Sequence, residues 1–203
     1  MLIGVTGQIG AGKSTAAAIL KSFGAAVVDA DKIGRQVVDD NPPLLRWLVR
    51  AFGDRILNRR GNLDRRRLAA LAFENDASGQ RLNQLVHPYL LKELHRQVKK
   101  AMSGHDVVVI DAALMLDWRL DRQVDITIVV HASRARRFAL AEKRGITPDD
   151  ARARQRRQLP YSEYRRRADV VILNNGSKND LRRKLDSFWR KVILKEIRRK
   201  ADT

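Results

Sequence analysis

Short apolar runs alternate along this chain with longer stretches in which apolar positions recur every three or four residues. Leu2 to Thr6 has the near-continuous apolar character of a strand covered on both faces. After a glycine-rich turn, Lys13 to Phe23 reads as a helix, with Gly24 just past its end. Ala26 to Asp29, Val107 to Ile110, Ile126 to Val130 and Val170 to Leu173 read as four further strands. Strands spaced by helices predict an α/β protein built on a five-stranded parallel sheet.

Two stretches break the alternation. About seventy residues separate the second and third strands, far more than a simple crossover needs. Their apolar spacing is helical in Leu44 to Phe52, Leu68 to Phe73 and Leu82 to Val98, which predicts an inserted helical subdomain. Within it, His87-Pro88 predicts a helix start, because proline suits a first turn. The second stretch, Arg134 to Arg167, is helix-compatible and dense in arginine. The tail from Asp180 to Lys200 reads as a last helix with Leu181, Leu185, Phe188, Val192 and Ile193 as its stripe. Trp47, Trp118 and Trp189 lie in apolar helical contexts that predict core or interdomain packing.

Composition narrows the class. The 203 residues are 44% hydrophobic, enough for a folded core, and contain no cysteine. Disulfides, thiolate zinc sites, iron–sulfur clusters and cysteine nucleophiles are thereby excluded. No apolar run approaches the roughly 18–20 residues that span a bilayer. The opening Met1 to Gly7 has no basic leader, so the expectation is a soluble, cytoplasmic protein without a signal peptide. Lys and Arg number 41 against 23 Asp and Glu, a formal charge of +18. That balance suits a polyanion: nucleic acid, a membrane surface or a phosphorylated small molecule.

The sharpest signal is Gly7-Gln8-Ile9-Gly10-Ala11-Gly12-Lys13-Ser14, followed by Thr15. It fits G-x-x-x-x-G-K-[ST] between a strand and a helix, the context in which backbone N–H groups cradle phosphate. Lys13 would meet the β- and γ-phosphates and the Ser14 hydroxyl a Mg²⁺ ion. This part of the chain is therefore expected to bind a nucleoside triphosphate through Gly7, Gly10, Ala11, Gly12, Lys13, Ser14 and Thr15. Asp111, at the end of an apolar strand, is either a second magnesium group or a turn residue. His131 ends another strand at the rim where ligands collect.

Further segments occur in order: Val27-Val28-Asp29-Ala30-Asp31, Gly61-Asn62-Leu63-Asp64-Arg65, Asn83-Gln84-Leu85-Val86-His87-Pro88, Ala168-Asp169-Val170-Val171-Ile172 and Asn174-Asn175-Gly176-Ser177. Together with the phosphate loop, these resemble the dephospho-CoA kinase family. The resemblance implies ATP-dependent phosphorylation of the ribose 3′-hydroxyl of dephospho-CoA, giving coenzyme A and ADP. It also implies a three-layer α/β/α P-loop kinase core at 1–30, 104–133 and 168–203, a helical substrate domain at 31–103 and a helical lid at 134–167. Asp31 then acts beside the attacking hydroxyl, or starts the following helix, or both. Arg65, His87 and Asp117 fall on the acceptor side, with His87 equally readable as a structural imidazole. Asp117 stands in Ala113-Leu114-Met115-Leu116-Asp117, where the family carries a proline-led segment ending in glutamate. Asn175 and Gly176 belong to the ATP side, as do Arg136, Arg137 and Lys143 of the lid. There, straight alignment gives Arg136, Ala139 and Lys143, with Arg137 and Arg144 beside them.

ATP and Mg²⁺ are the expected cofactors, dephospho-CoA the expected partner, and a monomer or weak oligomer the expected state. Neither a membrane nor nucleic acid is required, although +18 keeps nucleic acid open. Competing readings are another P-loop kinase of small molecules or nucleotides, a non-catalytic nucleotide-binding protein, and a nucleic-acid-associated NTPase.

Overall fold

A computed structural model describes residues 1–72 and 74–195. The chain forms two compact units, Met1–Asp29 with the chain from Val98 onward, and Ala30–Gln97.

The first unit is organised by β1 (Leu2–Thr6), β2 (Ala26–Asp29), β3 (Val108–Asp111), β4 (Ile126–His131) and β5 (Val170–Leu173). They pair in parallel in the order β2-β3-β1-β4-β5. Side chains alternate across the sheet, so each strand feeds two layers. On one face Ile3, Val5, Val109, Ile128, Val130 and Ile172 meet α1 (Lys13–Ser22) through Ala16, Ala17 and Leu20. They also meet α9 (Lys178–Phe188) through Leu181, Leu185 and Phe188. On the other face Val129 packs with Leu116 and Tyr164, flanked by Leu159 and Val171. Three layers result. The strand order reverses at β1, and in such sheets the crevice at the carboxyl ends of the strands is where ligands bind.

The third strand begins one residue later than its apolar run suggests and includes Asp111 as its last residue. The tail helix is regular only to Phe188, and a π-helical turn over Trp189–Ile193 follows. The wider turn re-aims the stripe. Trp189 and Ile193 are buried, while Val192, predicted to be core, is 37% exposed. Residues 196–200 of the predicted tail helix lie outside the described residues.

The second unit contains α2 (Ala30–Asp39), α3 (Pro42–Phe52) and α4 (Arg65–Ala72), and most of α5 (Asp76–Met102). Its buried apolar side chains include Ile33, Val37, Leu44, Leu48, Ile56, Leu68, Leu90 and Leu94. Asn41 starts α3, its side chain accepting from the Leu44 N–H ahead of a first-turn proline. The predicted helix end at Phe73 falls outside the described residues.

Two expectations are corrected in this unit. His87-Pro88 does not begin a helix; Pro88 lies inside the continuous α5. Proline removes one intrahelical bond there, but burial of Leu90, Leu94 and Val98 on one face holds the helix through it. Trp47 is not core. It is 49% exposed, with the Arg50 guanidinium 4.9 Å over its ring.

Candidate active site

The phosphate loop leaves β1 at the switch point and enters α1. Gly12 precedes α1 in left-handed backbone, φ 100°, and the helix starts with neither a side-chain cap nor an acidic residue in its first turn. Its positive dipole end is thus left for an anion. A Cβ at Gly12 would lie 2.3 Å from the Asn174 amide nitrogen, and one at Gly10 would lie 2.0 Å from the Arg137 carbonyl oxygen. Only glycine permits either approach. Gly7 and Ala11 are buried, Lys13 and Thr15 are partly exposed, and Ser14 is exposed.

Residues remote in sequence hold this loop in shape. The Asn174 side chain, 6% exposed, donates to the Ala11 carbonyl at 2.9 Å. Its backbone N–H donates to the His131 carbonyl at 2.7 Å. Next along, Asn175 accepts from the Ser133 N–H at 2.7 Å, and the Gly176 carbonyl accepts from Arg136 at 2.7 Å. The 174–176 segment therefore joins the loop to α6 (Arg134–Glu142), whose N-cap is Ser133. Asn174, which does most of this, was not among the sequence-predicted site residues. The Asn-x-Gly signature begins on it, and that signal was available.

Arg137 is the unusual side chain. It is 5% exposed, and its Nε and one Nη have no hydrogen-bond acceptor among the described residues. Burial lowers its pKa, as does the neighbouring Arg134 charge, while Tyr164 pulls the other way. A buried cation with two donors left without acceptors is costly until an anion satisfies them. Lys143, predicted to contact ATP, ends α6 with an exposed side chain. Its neighbour Arg144 reaches Thr15 at 3.5 Å, the outer limit of a hydrogen bond.

Asp117 keeps different company. The residue is exposed overall, yet desolvation of its carboxyl raises its pKa, opposed by its own backbone N–H and by Arg167. Arg167 in turn pairs with Asp121. Buried Tyr164, in α8 (Tyr161–Arg166), is pushed up to about 12 by desolvation and then by the Asp117 charge. Asp117 thus belongs with Tyr164, Arg167 and, through Tyr164, Arg137.

Asp111 and Asp29 are register partners at the carboxyl ends of β3 and β2. With the Ser14 hydroxyl they supply hard oxygen donors, the kind Mg²⁺ takes. Among the described residues no group of three His, Asp or Glu could cage a metal alone.

Asp31, Arg65 and His87 belong to the second unit. Asp31 is the second residue of α2, two positions past the end of β2. Arg65 opens α4 and donates to the Arg35 carbonyl and to Asp39, the latter at 2.7 Å. His87 sits mid-α5, partly buried, and desolvation lowers its pKa.

A glycine-rich loop at the switch point of a five-stranded parallel sheet, entering a helix, defines a P-loop nucleotide-binding protein. The family model for dephospho-CoA kinase matches residues 1–180. A dephospho-CoA kinase of Corynebacterium glutamicum is 43% identical over 183 residues, covering 88% of this chain and 90% of that one. The chain belongs to the dephospho-CoA kinase family. A crystal structure of a Thermus thermophilus protein matches with TM-score 0.81 and 31% identity, covering 95% of this chain and 97% of that one. A dephospho-CoA kinase structure from Campylobacter jejuni shares the fold, with TM-score 0.70 and 23% identity, over 94% of this chain and 96% of that one.

Proposed function

We propose that in this kinase Lys13 and Arg137 hold the transferring phosphoryl group and Asp31 receives the acceptor proton. The reaction moves the γ-phosphoryl group of ATP to the ribose 3′-hydroxyl of dephospho-CoA. The bond from O3′ to phosphorus forms as the bond from phosphorus to the β-phosphate oxygen breaks, and ADP leaves. Little covalent chemistry falls to the protein, so its task is positioning and charge. The amides of the loop and the start of α1 receive the triphosphate, with Lys13 on its β- and γ-groups. Arg136, already on Gly176, and Asn175 border the nucleotide, with Lys143 and Arg144 on the same helix end.

The buried guanidinium of Arg137 carries this reading. Its two free donors lie on the residue whose carbonyl abuts Gly10, and a phosphoryl group is the ligand that would satisfy them. Asp31 orients the 3′-hydroxyl and accepts its proton late in the transfer. Arg65, His87 and Asp117 serve the acceptor, Arg65 through its charge toward phosphate. Asp111 and Ser14, with Asp29 nearby, would hold Mg²⁺, and that ion would supply neutralisation of the β- and γ-phosphate charge. Such a reaction belongs in the cytoplasm, where ATP is supplied.

The test is ADP release with dephospho-CoA against a panel of nucleoside monophosphates, for the parent and Asp31→Asn. Asn keeps the shape, so ATP affinity by calorimetry stays while the rate falls about 10²–10⁴-fold. A variant rate within about threefold of the parent, under 1 kcal/mol of barrier, would assign Asp31 to helix initiation alone. Equal turnover in EDTA would remove the metal from the scheme.

A further inference from the structure

The phosphate loop also makes contacts that the reaction above does not use. The Ile9 N–H donates to Gln158 Oε1 at 2.8 Å. The adjacent Gln8, 7% exposed, sends its own side-chain Nε2 to the Leu159 carbonyl at 3.2 Å. Two neighbouring loop residues are thus tied to two neighbouring residues about 150 positions on, with donors running from the loop each time.

The receiving segment is itself well braced. Gln158 ends α7 (Pro148–Arg157) in extended backbone, and Pro160 precedes α8 in extended backbone. Leu159 packs beside Leu116, Val129 and Tyr164 on the sheet. Tyr161 stacks on His131, ring centroids 3.7 Å apart. Residues 158–161 therefore form a stiff joint, with apolar contacts to the sheet and polar contacts to the loop. At the other end of the arginine-rich insertion, the Arg137 carbonyl abuts Gly10. Both ends of the insertion bear on residues 8–10.

We infer that Gln158 is a positioning residue: its side-chain carbonyl occupies the Ile9 N–H, and with the Gln8–Leu159 bond it sets the first half of the phosphate loop against the lid. Ile9 then contributes no amide to phosphate. Its N–H serves to hold the amides from Gly10 onward, and the Arg137 donors, at one fixed separation. Transfer is sensitive to that separation, because small misplacements of charge around the reacting group cost rate steeply. The inference rests on the phosphoryl-transfer reading for its kinetic consequence and on the loop geometry alone for its structural one.

The experiment compares the full-length parent, Gln158→Met and Gln158→Glu. Methionine keeps length and volume but loses the acceptor; glutamate keeps an acceptor at the same reach. Amide exchange at Ile9, read by NMR without substrates, should be about tenfold faster in Gln158→Met, near the upper end of one hydrogen bond's worth, and slow again in Gln158→Glu. In Gln158→Met, kcat with dephospho-CoA should fall about tenfold while KM for ATP moves less than about twofold. Unchanged Ile9 exchange in Gln158→Met would overturn the contact. Fast exchange with kcat within about twofold of the parent would overturn the positioning role. A parent inactive on dephospho-CoA would instead remove the functional reading, and Ile9 exchange would still decide the latch.

Discussion

The phosphate loop and the helical unit both turn on left-handed glycines, yet the glycines answer to different surroundings. Gly10 and Gly12 have φ of 73° and 100°, and Gly53 and Gly61 have φ of 81° and 77°. In the loop, an added Cβ would meet polar atoms of other segments at 2.0 and 2.3 Å. In the helical unit, Gly53 has only an Arg55 side-chain carbon at 3.9 Å, and Gly61 has nothing within 4 Å. Polar groups follow the same division. Asn58 accepts from the Arg60 and Asn62 N–H groups, and Asp64 from those of Arg66 and Arg67, all within four residues. Asn174 and Gln158 reach the loop across 163 and 149 residues. A positive φ marks a turn in either unit. What distinguishes the loop is the foreign segment pressed against it, which makes it a fixed receptor rather than a bend.

The widest separation should come from Lys13→Ala. Loss of its ammonium should lower dephospho-CoA-dependent ADP release by about 10³-fold, as removal of a key charge-stabilising donor does. Its melting temperature should stay near the parent's, because Lys13 is partly exposed at a helix start. Turnover near the parent's would dissolve the contrast between the units.

The glycine pair sharpens it in stability. Gly10→Ala adds a left-handed residue and a clash with backbone, so urea unfolding should show about 3 kcal/mol of destabilisation. Gly61→Ala bears the left-handed strain without the clash, about 1 kcal/mol. Equal losses would mean that the Arg137 carbonyl yields easily and the loop is not pressed.

Arg137→Met probes the buried cation directly. Filling the site with an apolar side chain should leave unfolding stability equal or about 1 kcal/mol higher, since an unpaired buried charge is removed. Turnover should nonetheless fall about 10²-fold if, as proposed, that charge meets the phosphoryl group. A variant that loses both would show Arg137 to be structural.

The smallest effect belongs to the helical unit. Arg65→Ala breaks a half-exposed pair with Asp39, worth less than about 1 kcal/mol of stability by urea unfolding. KM for dephospho-CoA should rise about threefold with kcat unchanged, the pattern of lost ground-state contact. A kcat loss matching that of Arg137→Met would move the transferring charge into the helical unit and invert the comparison.

The chain's own order carried much of this molecule. Strand runs, the phosphate-loop spacing and the start of α1 depend on neighbours a few residues apart, so β1, α1 and the Gly7 to Thr15 cradle are legible directly. Local signals misled where packing outweighed them. Proline at position 88 reads as a helix start, but burial of Leu90 and Leu94 carries α5 through it. Apolar spacing alone places Val192 and Ile193 inside together, and across the π-helical turn Ile193 is buried while Val192 is exposed. Arginine density marks the 134–167 insertion without saying which guanidinium is buried. Only the folded chain separates Arg137 from exposed Lys143, and it alone brings Asn174 and Gln158 onto the loop. Such contacts join segments more than a hundred residues apart. They depend on strand order and on which face each helix buries, and no local window contains that information.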